Sequence, residues 1–73
     1  MADSVYAVTE LVGTSTESWE KAAAAAVATA AGSLRDLRIA EVMELDMQLE
    51  NGQIRAYRAR VKLSFKYERS GSA

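Results

Sequence analysis

The side chains that could carry chemistry in this chain are few. Its 73 residues include no histidine and no cysteine. A serine or threonine nucleophile therefore has no imidazole to take its proton, and thiolate chemistry is excluded. The usual ligands of zinc and other soft metals are missing too, which leaves carboxylates and carbonyls for a hard ion such as calcium or magnesium. Glu44 and Asp46 can be drawn as a general acid and base. On a strand, however, they face basic residues across a hairpin, and an ordinary cross-strand ion-pair ladder accounts for them. Gly13-Thr14-Ser15-Thr16 contains a single glycine and reads as a capped helix start instead of a phosphate loop. Arg58, Arg60, Lys62 and Lys66 form a basic stripe that could meet phosphate or RNA. That face has no aromatic platform for bases, and Glu44, Asp46 and Glu50 are available to neutralise it. Glu41 reads as a lone charge on an apolar face, which calls for a partner across a subunit boundary. Trp19 reads as a core anchor. These residues predict a protein that is not an enzyme.

The elements that must position these groups follow from periodicity. Val5 to Val12 reads as a first strand, rich in β-branched and aromatic residues and ended by Gly13. Thr14 with Glu17 matches a capping box and Ser15 is an equal N-cap, so a helix is predicted from there to about Ala31, with Gly32-Ser33 as its exit. Its apolar stripe is Trp19, Ala23, Ala26/Val27, Ala30 and Leu34. The alanines of 22–31 admit two readings: helix propensity on solvent-facing positions, or close approach of another backbone. Arg38 to Leu49 changes to period two, with Ile39, Met43, Leu45, Met47 and Leu49 on one face and Arg38, Glu44, Asp46 and Gln48 on the other. Ile54 to Tyr67 continues the alternation. Tyr57, Ala59, Val61, Leu63, Phe65 and Tyr67 face one way; Arg58, Arg60, Lys62, Ser64 and Lys66 face the other. A three-residue loop, Glu50-Asn51-Gly52, pairs Leu45 with Tyr57 and Glu44 with Arg58 and keeps the faces apart. Residues 69–73 read as a frayed tail. The fold class is α+β: a βαββ unit whose three-stranded antiparallel sheet, in the order 1-3-2, is partly wrapped around one helix. The chain is read as one domain over 1–73 with an ordered core of about 4–68.

Size and composition then constrain assembly. A domain this small buries only about 60% of its unfolded surface. Of the 36 hydrophobic residues 14 are alanine, so 22 side chains remain to fill a core. With disulfides excluded, partner subunits are the remaining support. Strands of this length, on the order of 40 Å, also exceed what one helix covers. Nine basic and ten acidic residues give a net charge of −1, which favours neither nucleic acid nor an anionic membrane as partner. No stretch is apolar enough for a membrane span, and Met1 to Ser4 lacks a signal-peptide pattern; a cytoplasmic protein is the expectation.

Four segments in this order resemble the dodecins: Val-Tyr-Ala-Val-Thr-Glu-Leu-Val-Gly-Thr-Ser at 5–15, Ser-Trp-Glu at 18–20, Leu-Arg-Asp-Leu-Arg-Ile-Ala-Glu-Val at 34–42, and Val-Lys-Leu-Ser-Phe-Lys-Tyr-Glu at 61–68. The resemblance implies a homo-oligomer, a hollow shell of twelve subunits, that stores or buffers flavins (riboflavin or FMN) as stacked pairs between subunits without turning them over. It places the candidate pocket wall at Ile39, Glu41, Arg58 and Lys66. Where flavin-binding members carry a stacking tryptophan this chain has Ile39. A glutamine that meets the flavin's pyrimidine edge is replaced by Arg58, and a basic residue on the second strand by Asp46, while Lys66 keeps a positive charge. Isoleucine has no π-face and arginine offers donors alone, so flavin affinity is expected to fall steeply. The Leu-Arg-Ile-Ala-Glu-Val segment resembles a branch in which a bound calcium ion is associated with at least one member. The alternative implied is an assembly with vestigial flavin sites and a structural or calcium-binding role; the resemblance assigns no metal ligands.

Overall fold

The computed structural model describes residues 4–67. Strand β1 (Tyr6–Ser15), helix α1 (Trp19–Ala31), strand β2 (Leu37–Glu50) and strand β3 (Gln53–Lys66) follow one another, and the sheet order is β1-β3-β2. Both neighbouring pairs are antiparallel. This is the expected βαββ arrangement: a helical crossover makes β1 and β2 parallel, and the hairpin strand fills the gap between them. The tail at 69–73, like Glu68, lies outside the described residues.

The entry to the helix differs from expectation. Gly13 does not end β1; it pairs with Ala59 inside the strand, which continues to Ser15. A Cβ at position 13 would sit 2.0 Å from the carbonyl oxygen of Ala22, so glycine is required by close approach of the helix backbone, not by a turn. Neither Thr14 nor Ser15 is the N-cap. Ser18 is, its hydroxyl accepting from the Lys21 N–H at 3.0 Å. The Ser15 hydroxyl accepts from the Glu17 N–H at 2.9 Å and shapes the turn that precedes the cap. Gly32 closes the helix as expected, its N–H directed at Thr29 and Ala30 carbonyls.

Both readings of the alanines hold, on opposite faces. Ala22, Ala26 and Ala30 are buried and meet Ala59, Val61 and Leu63 of β3, while Ala24, Ala25, Ala28 and Ala31 are exposed. Leu11, Ala23, Val27, Leu34 and Leu37 ring this core. Among its buried members only Val61 and Leu63 are larger than alanine, so the core is thin.

The hairpin also differs. Glu50 pairs with Gln53, leaving a two-residue turn at Asn51-Gly52 with φ of 53° and 75°, the positive pair of a type I′ turn. The faces still match because Arg55 is skipped in the ladder: Leu49 pairs with Ile54 and Gln48 with Ala56. This bulge sets Leu45 opposite Ala59, Met47 opposite Tyr57 and Asp46 opposite Arg58. A second irregularity falls at Met43, between the Val42–Val61 and Glu44–Arg60 pairs, and a third at Arg38. Each extra residue inverts the alternation. Ala40 and Val42 therefore join the helix side of the sheet, and Ile39 and Glu41 pass to the outer face, opposite Ser64 and Lys62. The expectation that Ile39 and Glu41 share the apolar face with Leu45 is corrected by the irregularity at Met43.

The result is long and narrow, 56 × 20 × 15 Å, with a radius of gyration of 15.3 Å. A compact domain of 73 residues has about 11 Å. The excess is the hairpin arm, which projects beyond the helix. Val42, Leu45, Met47, Leu49 and Ile54 stand on its helix side and remain between 42% and 62% exposed.

Candidate ligand site on the outer sheet face

The outer face is a lattice of cross-strand rows set by the register. Tyr6 faces Lys66; Val8, Ser64 and Ile39 form the next row, then Glu10, Lys62 and Glu41, then Val12 and Arg60 beside Glu44, then Thr14, Arg58 and Asp46. The expected ion-pair ladder is present with shifted partners. Arg58 meets Asp46 in a two-bond fork, Nε to Oδ1 at 2.7 Å and Nη2 to Oδ2 at 2.9 Å. Arg60 lies between Glu44 at 3.3 Å and Glu10 at 3.7 Å. The Arg58 hydrogen bonds hold the Asp46 carboxyl below the usual carboxylate range, against a smaller opposing effect of desolvation and with help from the charges of Arg58 and Arg60. Reciprocally, Asp46 raises the Arg58 guanidinium above its ordinary value.

All four expected wall residues stand on this outer face, but one chain does not bring them together. Ile39 and Lys66 belong to adjacent rows, and Glu41 is the next residue on the same side of β2 as Ile39. Arg58 is six residues from Ser64 along β3, about 20 Å away. A pocket walled by Ile39, Glu41, Lys66 and Arg58 together thus requires more than one copy of the chain. Lys66 also edges a concavity of about 520 Å³ with Leu34, Arg35, Asp36 and Phe65, where Asp36 has a φ of 57° and its carbonyl accepts from the Lys66 N–H. Ile39 edges a smaller one, about 140 Å³, with Val27 and Leu63. A third, about 490 Å³ and mostly apolar, lies between Trp19, Ala23, Val42 and Leu45, where the helix leaves β2 uncovered.

Trp19, expected as a core anchor, instead stands half-buried outside the alanine core, at the base of the arm. Its ring meets Tyr57 edge-on at 5.1 Å, and its indole N–H donates to the Asp46 carbonyl at 3.0 Å. Asp46 is thereby held twice, by its main chain to the helix and by its side chain to β3. Sequence reasoning missed this double role because it depends on the Arg55 bulge; the signal available was the complementary charge of Asp46 and Arg58 alone.

The residues do not fit a flavin held by ring stacking. Ile39 offers an exposed aliphatic surface, and the Nε and Nη2 donors of Arg58 are already engaged by Asp46. For calcium, no group of three acidic residues within the described part of one chain could hold the ion, so ligands would have to converge from separate subunits or from carbonyls.

A βαββ subunit with a half-wrapped helix and a bare hairpin arm has the build of a small-ligand-binding protein of the dodecin type. Residues 5–68 match the Dodecin family, to which the chain belongs. It is 46% identical over 63 residues to the calcium dodecin of Mycobacterium tuberculosis, covering 86% of this chain and 89% of that protein. Among solved structures, the dodecin of Streptomyces coelicolor is similar with a TM-score of 0.88 and 38% identity, over 96% of this chain and all of the other. The solved calcium dodecin of M. tuberculosis, a calcium-chelating antigen with its own calcium-binding site, is similar with a TM-score of 0.81 and 43% identity, over 96% of this chain and all of the other.

Proposed function

We propose that this chain is the single-domain subunit of a non-enzymatic homododecameric shell that binds and sequesters a small ligand between subunits. The observation that carries this reading is the arm: five large apolar residues stand about half exposed on the helix side of the sheet, on a molecule too elongated to cover them itself. Burying them between copies supplies what the alanine core lacks. Flavin is the ligand that family membership brings first. With Ile39 in place of an aromatic ring and Arg58 engaged by Asp46, it binds weakly. Nucleic acid and membranes are not partners on this reading. Arg58 and Arg60 of the outer face are ion-paired, and no helix of the described residues is long and apolar enough to cross a membrane. A cytoplasmic setting completes the proposal.

The 46% identity to a calcium dodecin favours a second reading, in which the flavin position is vestigial and the shell binds calcium or is structural. Titrating riboflavin and FMN while following flavin fluorescence, and calcium by calorimetry, separates the two. Saturable quenching at micromolar flavin supports the first reading. Calcium uptake without quenching supports the second, and absence of both from an assembled protein refutes ligand storage.

A further inference from the structure

The outer face carries an apolar patch of its own, on the other side of the sheet from the exposed residues of the arm. Val8, Ser64 and Ile39 form the one three-strand row of this face without a charge. Ile39 is 59% exposed and Val8 54%, so a single chain leaves the row uncovered. The rows on its two sides differ in sign. On one side Lys66 faces Tyr6, with the bulge residue Arg38 close by; on the other Glu10 and Glu41 flank Lys62, two carboxylates to one cation. Glu10 already lies 3.7 Å from Arg60. Neither Glu41 nor Lys66 has an ion-pair partner among the described residues of its own chain.

An apolar row with opposite charge on either side is complementary to itself when reversed. Two copies can stack these faces about a two-fold axis in two ways. With the axis along the strands each row meets its own equivalent, so Lys66 faces Lys66 and the two negative rows face one another. With the axis across the strands, over Ser64, the apolar row still meets itself, while Lys66 of each copy falls on the Glu10–Lys62–Glu41 row of the other. Electrostatic complementarity selects the second arrangement. We infer that the Val8–Ser64–Ile39 row is a two-fold interface with a second copy of this chain, in which Glu41 of each copy pairs with Lys66 of the other. Packed sheets lie about 10 Å apart, a gap that a lysine and a glutamate span together from its two sides. The inference deepens the assembly reading and rests on it, but needs no bound ligand. A two-fold contact alone ends at a dimer, so a closed shell requires a second kind of contact, which the arm supplies from the helix side.

Charge reversal in the full-length protein tests the pair. Glu41→Lys and Lys66→Glu each set like charges opposite one another, and each should raise the protomer concentration at which the assembly half-dissociates by about ten-fold, read by sedimentation. Glu41→Lys/Lys66→Glu restores the opposition and should return within about three-fold of wild type. Circular dichroism checks that each variant folds, and cross-linking gives a second readout that does not depend on these variants. The chain has no cysteine, so Ile39→Cys introduces a single thiol. Position 39 faces itself in the reversed stack, and a bismaleimide spanning about 10 Å should link copies in pairs. Thr14→Cys, three rows away on the same face, is about 40 Å from its equivalent in that stack and should not link. Single variants that assemble like wild type, a double variant no better than the single ones, or Ile39→Cys linking no more than Thr14→Cys overturns the inference while the assembly reading stands. A wild type that is monomeric at low micromolar protomer overturns both.

Discussion

Replacing Gly13 by alanine tests how the helix is seated on the sheet. The new Cβ would lie 2.0 Å from the Ala22 carbonyl oxygen, 3.0 Å from its carbonyl carbon and 3.1 Å from the Ala26 nitrogen. All three are backbone atoms, so no rotamer change relieves the contact. Restoring an ordinary separation of about 3.4 Å moves the helix by about 1.4 Å, and gaps of 0.5–1 Å already forfeit a quarter to a half of dispersion attraction. The surface that separates is the whole buried core, Ala22, Ala26 and Ala30 against Ala59, Val61 and Leu63. Overpacking costs about 1–3 kcal/mol where side chains can yield, and a backbone clash belongs at the upper end. The loss of unfolded-state entropy gives back about 0.4–1 kcal/mol. A net cost of about 2 kcal/mol lowers Tm by about 8–16 °C for a domain of this size. Thermal unfolding by circular dichroism at matched protomer concentration reads this, since association itself shifts Tm. Gly52→Ala is the control: its φ is 75° but its Cβ would meet nothing within 4 Å, so only the left-handed conformation is penalised, by about 1–2 kcal/mol. A Gly13→Ala protein with a Tm within 3 °C of wild type would refute the seating described here.

Other outcomes follow from the same geometry. Leu49→Glu on the hairpin arm, a position 62% exposed in the single chain, should leave the fold intact and weaken assembly by at least ten-fold, measured by sedimentation at graded concentrations. An unchanged mass distribution contradicts burial of the arm. Ile39→Trp should tighten riboflavin binding by about 5- to 150-fold, from the 1–3 kcal/mol typical of aromatic stacking on a base; equal affinity of the two proteins removes position 39 from the pocket. The lowered carboxyl of Asp46 gives a pH signature. Its folded-state value lies below the unfolded one, so its stabilisation is complete above about pH 4 and is lost as pH falls through the folded-state value. Wild type should therefore lose more Tm than Asp46→Asn between pH 5 and pH 3, and parallel curves would show that the fork does not contribute.

The strand and helix order was legible because periodicities of two and 3.6 are strong in this chain, and the one-sided β3 marks its own faces. What escaped were local departures from those periods. Arg55 and Met43 carry no glycine or proline to announce a bulge, yet the first sets the register of the hairpin and the second turns Ile39 and Glu41 away from Leu45. Gly13 reads as punctuation in one dimension and is a contact in three, because the helix returns over the strand that precedes it. The cap was misplaced for the same reason: extending β1 to serve that contact moves the helix start to Ser18, where Ser-x-x-Lys has no capping-box partner. The charged ladder was visible as composition. Its partners, Asp46 with Arg58 and Glu44 with Arg60, required the register.

Self-association is the central claim, and the mass of the purified protein in solution tests it most directly. Light scattering coupled to size exclusion, at low micromolar protomer, should return about 95 kDa, twelve subunits of 7.9 kDa. A single species at 7.9 kDa would contradict the account, because five half-exposed apolar residues on the arm would then have no cover.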